Sequence, residues 1–411
     1  MTKLYQNAVV GQSGGPTSAI NATLAGVISA SLSAGFPKIY GMRNGIEGLL
    51  NEDIFDVKSY FPSPECEELE LLSLTPAAAL GSCRKKIDSD ETIERLYEVF
   101  EKYDIGYFFY IGGNDSMDTV SKLSKYASEH PEKRPMHFIG VPKTIDNDLV
   151  ITDHTPGFGS AAKYIANIVQ ETVRDCAVYK TRAVTILEIM GRDAGWLTAS
   201  AALSKALTGI GVSLIYLPEV PFSDEKFLSD LKNQFECGET PYVVVAVSEG
   251  IRSADGKYVG ESAMSGVVDS FGHKYLAGTG KYLENLVRER LGCKVRSVEI
   301  NILQRCAAHL ASATDISESI YVGKSAVDIA LSGQSGVMAA FARKEGDEYS
   351  VCVTPVDVNR VANGIKKVPA EYINSDGNGV TEECIKYLLP LIAGECDAKY
   401  ENGIQKHFTF S

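Results

Sequence analysis

The sequence predicts an α/β protein of two domains, each with a largely parallel sheet, and a cleft between them. Three observations predict it. Short apolar runs recur along the chain, each followed by a glycine-rich or polar loop and then a stretch of helical periodicity. That alternation starts afresh near Gly159. The 411 residues also exceed what one hydrophobic core organises.

The elements follow in order. Ala8–Gly11 is a short buried strand ending in SGGPTS (Ser13–Ser18), after which Ile20, Leu24, Val27 and Ile28 recur at helical spacing. Ile93, Leu96, Val99 and Phe100 mark one face of a second helix, and the strand Tyr107–Ile111 follows it. That strand ends in GGNDS, with a helix beginning near Met117, and the strand His137–Val141 ends in PKTIDND. In the second half, a helix around Ile165–Val173 leads to the strand Ala183–Ile189 and then MGRDAGW. The strand Ser213–Leu217, a helix near Phe227–Phe235 and the strand Tyr242–Val247 come next. Runs apolar on both faces and joined by helices indicate parallel strands with crossover connections. No Pro/Ser-rich linker separates the halves, so the two sheets are expected to pack closely. The stretch after Asp357 reads as helix and loop.

Composition excludes several classes. Apolar residues make up 45% and charged residues 23%, ordinary values for a globular chain. Lys and Arg number 40 against 53 Asp and Glu, a net charge of −13, which argues against a nucleic-acid surface. Nine scattered cysteines, none spaced CxxC, suit free thiols in a reducing compartment. No window reaches the roughly 18 uncharged apolar residues of a membrane helix, and the start lacks a signal-peptide core; a cytoplasmic protein is expected.

Three strand-ending loops carry the chemistry. Ligands of open parallel sheets bind beyond the carboxyl ends of the strands, where free N–H groups favour anions. Gly14 and Gly15 let the backbone turn and approach a phosphate closely. Pro16 removes an N–H donor, so this is not a P-loop, and the dinucleotide pattern G-x-G-x-x-G is absent here. Gly112 and Gly113 offer a second close approach, followed by an amide, a carboxylate and a hydroxyl at Asn114, Asp115 and Ser116; an N-cap by Asp115 or Ser116 is the plain structural alternative. The third loop gathers Lys143, Thr144, Asp146, Asn147 and Asp148. An extended tripeptide would direct Asp146 and Asp148 to one side, one to bind a metal and one to take a proton from an alcohol. A cationic clamp, a metal and a base are what phosphoryl transfer needs. The alternative is a solvated Asp/Asn-rich turn.

GGPTSAIN, LGSCRKK, GGNDS, PKTIDND, MGRDAGW, VSEG and the QR of NILQRC occur in the order found in phosphofructokinases. The sequence resembles that family from Gly14 to Arg305, most closely its pyrophosphate-dependent branch. The resemblance implies two Rossmann-like domains. One comprises residues 1–157 with about 304–354 and binds the phosphoryl donor. The other comprises 158–303 with about 355–411 and binds fructose 6-phosphate. It implies phosphoryl transfer to the 1-hydroxyl of that sugar, with Mg²⁺ as cofactor and a homodimer or homotetramer as the assembly.

It also implies roles. Asp146 is similar to the general base and Asp148 to a magnesium ligand, with Thr144 holding the reacting groups. Arg192 resembles the arginine that neutralises the transferring phosphoryl group, beside Gly191, and Met190 the residue that packs on the sugar. Glu249 resembles a ligand to sugar hydroxyls. Arg296 and Arg305 resemble a pair gripping the 6-phosphate, and Arg84 with Lys85 a donor-phosphate contact; the plain alternative in each case is a surface salt bridge, strongest for Lys86. Gly14, Gly15, Gly113, Asp115 and Lys143 complete the donor site. Arg182 lies one residue from where the family uses an arginine of a neighbouring subunit.

Donor choice rests on two positions. ATP-using relatives usually have glycine at the position of Asp115 and a small residue at that of Lys143; the pyrophosphate branch has an acid and a lysine. A carboxylate at Asp115 repels and crowds a nucleotide's α-phosphate, whereas an ammonium at Lys143 neutralises a donor held by charge alone. Asn114 departs from the family, which often has an aspartate there; its amide oxygen can still ligate Mg²⁺ without adding charge. The alternatives are an ATP-dependent enzyme, a non-catalytic regulatory subunit, and a nicotinamide dehydrogenase that lacks its fingerprint. None of the six histidines reads as catalytic, and His273 reads as a structural or loop residue.

Overall fold

The computed structural model describes residues 6–260, 278–346, 348–362 and 364–410. His273 lies outside them. Two sheets organise the described chain. The larger has seven strands: β1 (Asn7–Gln12), β2 (Ile39–Met42), β3 (Ile54–Asp56), β4 (Ile105–Gly112), β5 (His137–Pro142), β10 (Val337–Arg343) and β11 (Val351–Asp357). They lie in the order β11-β10-β5-β4-β1-β2-β3, parallel except for the two edge strands. The smaller sheet contains β6 (Ala183–Ile189), β7 (Leu214–Tyr216), β8 (Tyr242–Ser248) and β9 (Lys294–Glu299), ordered β7-β8-β6-β9 and wholly parallel.

The larger sheet is apolar on both faces because helices cover both. Val9, Phe108 and Phe138 pack with Leu96, Phe100, Val120 and Leu123 from helices Asp90–Lys102 and Asn114–Glu129. Their neighbours Val10, Phe109 and Ile139 point the other way, onto Leu24, Val27, Val322 and Ala326 of helices Ile20–Ala34 and Ala313–Leu331. Successive residues of one strand thus feed two cores, so the strands read as unbroken apolar runs.

Register then places the functional loops together. β1 pairs with β4 through Gln12 and Ile111, and β4 pairs with β5 through Gly112 and Pro142, so all three strands end at one level. In the smaller sheet β6 and β8 end together at Ile189 and Ser248. The chain after Asp357 contains 3₁₀ turns and the short helix Glu382–Leu388, and departs from the helix-and-loop expectation in a small antiparallel pair of strands, Tyr400–Glu401 with Ile404–Gln405.

Candidate active site

A cavity of about 490 Å³ opens where the ends of the two sheets meet. From the larger sheet it is lined by Gly14, Gly15, Gly113, Asn114, Asp115, Lys143, Thr144, Asp146 and Asp148. From the smaller come Met190, Arg192, Asp193 and Glu249. Arg84 and Lys86 border it from the segment before Ser89, and Arg305 from the chain beyond β9.

The glycine loop after β1 is held against cations. Gly14 has φ 75°, and a Cβ there would stand 3.3 Å from Lys143 Nζ, so a side chain would be both strained and in contact with the ammonium. Lys143 Nζ donates to the Gly15 carbonyl at 2.6 Å. Burial pushes this lysine down to about 8, against the opposing pull of Asp146. A Cβ on Gly15 would meet Arg305 Nη1 at 3.3 Å. Arg305 therefore stands over the glycine loop.

The third loop differs in conformation from the expected extended tripeptide. Asn147 is left-handed, with φ 54°, so residues 146–148 form a tight turn. Both carboxylates still line the cavity. Thr144 Oγ1 accepts from the Asp146 backbone N–H at 3.1 Å and closes the front of the turn. Burial raises Asp146, opposed by the charges of Lys143 and Arg192. Asp148 rises to about 7 through burial and the adjacent Asp146 charge. Two carboxylates crowded in this way form a place for a cation.

Asn114 supplies a further feature: its Oδ1 is buried without a hydrogen-bond partner. An orphaned amide oxygen beside two carboxylates suits a hard divalent cation. Among the described residues no three His, Cys, Asp or Glu side chains cluster as a metal cage. The donor set thus fits Mg²⁺, which keeps several waters and uses one or two carboxylates plus substrate oxygens. The cap of helix Asn114–Glu129 is Gly113, without a side-chain bond, so neither Asp115 nor Ser116 serves as N-cap. Asp115 instead pairs with Lys86 at 3.8 Å.

On the opposite wall, Gly191 has φ 133° and its N–H donates to Glu249 Oε1 at 3.3 Å. Burial raises Glu249 to about 8. Arg192 Nε is buried without a hydrogen-bond partner, a donor left for an anion. Asp193, adjacent to it, takes Arg252 at 2.5 Å.

Four anticipated residues do not line this cavity: Gly191, which sits between Met190 and Arg192 of its wall, and three that lie apart from it. Lys85 is exposed, and Lys86, two residues beyond Arg84, lines the wall in its place; side chains two apart in non-helical chain share a side. Arg296 is on the edge strand β9, exposed and 3.8 Å from Asp175, so Arg296 and Arg305 are not brought together within one chain. The Arg182 guanidinium covers the Phe235 ring at 4.1 Å. The wall also contains Asp193 and Ile365, which the sequence reading had not singled out. Asp193 sits inside MGRDAGW and had that signal. Ile365 had none.

The comparisons with known proteins agree with one another. The sequence profile described as phosphofructokinase matches residues 7–330. A pyrophosphate–fructose 6-phosphate 1-phosphotransferase of Methylococcus capsulatus is 42% identical, over 98% of this chain and 96% of that one. One of the same name from Halomonas elongata is 42% identical, covering 97% and 95%. A pyrophosphate-dependent phosphofructokinase crystal structure from Nitrosospira multiformis superposes with a TM-score of 0.87 at 38% identity, covering 98% of this chain and 96% of that one. Profile, relatives and fold together assign this chain to the phosphofructokinase family.

Proposed function

We propose that this chain transfers a phosphoryl group from pyrophosphate to the 1-hydroxyl of fructose 6-phosphate, reversibly. The observation that carries the reading is the convergence of Lys143, Asp146, Asp148 and Arg192 from two sheets on one cavity. Asp146 takes the hydroxyl proton as the sugar oxygen attacks phosphorus. Arg192 and Lys143 face the charge that develops on the transferring group, and Lys143 holds the glycine loop in place by its bond to Gly15. Glu249 and Met190 receive the sugar. Mg²⁺, held by Asp148 and the Asn114 amide oxygen, would draw negative charge from the moving phosphoryl group.

Pyrophosphate is favoured over ATP by Asp115 and Lys143. Asp115 lines the cavity paired with Lys86, and together with Lys143 and Arg305 it builds a small charged pocket around Gly14 and Gly15. A short, highly charged donor fits such a pocket. We further propose the two-domain division at the sheets, residues 1–157 with about 304–354 and 158–303 with about 355–411. A homodimer or homotetramer in the cytoplasm would let exposed Arg296 and Arg182 reach a neighbour's sugar site. The described helices include none long and apolar enough to cross a membrane.

The deciding experiment is turnover of fructose 6-phosphate by purified protein with Mg²⁺ and either donor. Activity with pyrophosphate alone is expected. Activity with ATP alone would overturn the donor assignment, and silence with both in folded protein would favour a regulatory subunit.

A further inference from the structure

We infer that Lys366 is a positioning residue for phosphoryl transfer, setting from behind the turn that carries Asp146 and Asp148; this rests on the function proposed above. An ammonium has three N–H donors, and Lys366 spends all three on one short stretch of chain. Nζ donates to Asn147 Oδ1 at 3.0 Å, to the Thr152 carbonyl at 3.2 Å and to the Asp153 carbonyl at 2.8 Å. Its backbone N–H donates to the Asp148 carbonyl at 2.7 Å. Asn147, the left-handed residue between the two aspartates, is held on its other side by the Tyr387 hydroxyl, which accepts at 2.9 Å. That hydroxyl in turn donates to the Asp153 carbonyl at 2.6 Å. The turn thus cannot rotate without breaking several bonds to this lysine and to Tyr387.

The same segment reaches the opposite wall. Trp196 Nε1 donates to the Lys366 carbonyl at 2.9 Å, and the Val368 N–H donates to Glu219 Oε1 at 2.9 Å. That same Oε1 accepts from Gly195 N–H at 2.9 Å, in the loop carrying Arg192. Residues 366–368 therefore strap the base-bearing turn to the arginine-bearing loop. Neither Lys366 nor Glu219 lines the cavity, so their effect on chemistry passes through the loops they hold.

The test compares Lys366→Met and Asn147→Gly with the wild type, in the reaction of fructose 6-phosphate with Mg²⁺-pyrophosphate. Asn147→Gly keeps the left-handed backbone at low cost while deleting the acceptor for Nζ together with the donor to the Tyr387 hydroxyl, and Tyr387→Phe, which leaves the Nζ bond in place, separates the two should Lys366→Met fail to fold. Lys163→Met is the control: that lysine is also buried and bonded to two backbone carbonyls, Ala311 and Gly394, but has no place in the cavity wall. Misplacing reacting groups by about 1 Å costs on the order of 100-fold. We expect kcat to fall by about that factor in both loop variants, with both KM values within about threefold. Lys163→Met should lower the melting temperature and leave kcat near wild type. The inference is overturned if Asn147→Gly retains wild-type kcat, or if Lys163→Met loses kcat equally at an equal loss of melting temperature. A wild type inactive with both donors would count against the proposed function instead.

Discussion

The two walls of the cavity are built to different degrees of completeness. On the wall of the larger sheet, the glycine loop, Asn114, Asp115, Lys143, Asp146 and Asp148 all meet at the ends of three adjacent parallel strands. On the wall of the smaller sheet, Met190, Arg192 and Glu249 are in place, while Arg296 and Arg182 face solvent or another side chain. The difference follows from where the residues sit. A strand-end loop is aimed by its own sheet, so one chain suffices to bring these residues together. A side chain on the exposed edge strand β9 can serve a site only if another chain is brought to it.

The largest expected effect breaks the comparison at its strongest point. Replacing Asp146 with Asn keeps the size of the side chain and removes the proposed base. Turnover should drop by about three powers of ten with the KM for fructose 6-phosphate nearly unchanged, as steady-state assays can read. A loss under about tenfold would take the base assignment away from Asp146. Next in size is the donor switch. Asp115→Gly combined with Lys143→Gly removes the carboxylate proposed to repel a nucleotide and the ammonium proposed to hold pyrophosphate. The ratio of ATP to pyrophosphate kcat/KM should rise by about 100-fold, mostly through loss of pyrophosphate use.

A smaller effect separates the walls. Arg305→Ala should raise the KM for pyrophosphate by about tenfold, since its guanidinium stands over Gly15. Arg296→Ala should raise the KM for fructose 6-phosphate by about as much, and only in an assembly that presents β9 to a second copy. If Arg305→Ala changed the sugar KM alone, both arginines would belong to the sugar phosphate and the asymmetry of the walls would shrink.

The same contrast explains what could be read from the sequence. The parallel strands β4, β5, β6 and β8 were legible because both faces are buried, and the loops after them because glycines and charges interrupt an apolar run. Edge strands were harder. β3 has three residues, and β9 reads KVRSVE with most side chains exposed, so neither shows an apolar stripe. Arg296 could be picked out by its motif, but its direction depends on the strand's exposed edge. The support behind the site was the least visible. Lys366 and Tyr387 act through single hydrogen bonds from a stretch of 3₁₀ turns and one short helix, where no periodicity announces a role. His154 was missed in the same way: its meaning lies in partners 1 and 164 positions away.

His154 supplies the smallest expected effect on activity and tests whether the wall of the larger sheet owes its completeness to what lies behind it. Its ring is stacked on Phe341 of β10, with Asp153 at 2.9 Å on one nitrogen and Glu318 at 2.8 Å on the other. Burial opposes a charge on this imidazole, but the two carboxylate hydrogen bonds outweigh it and the pKa is raised above 6.5. A raised folded pKa adds stability that is fully present below about pH 6.5 and is lost as pH rises through the folded value. As pH rises above about 6.5 the wild type should therefore lose melting temperature that His154→Gln does not lose, the variant melting lower at about pH 6 with a flatter profile. Because Asp153 and Thr152 also receive the bonds that tie down residues 146–148, kcat at low temperature should fall only a few fold in that variant. A His154→Gln protein with the steep wild-type profile would place the pH-sensitive support elsewhere, and the wall of the larger sheet would then stand on the Lys366 bonds without a charged network behind it.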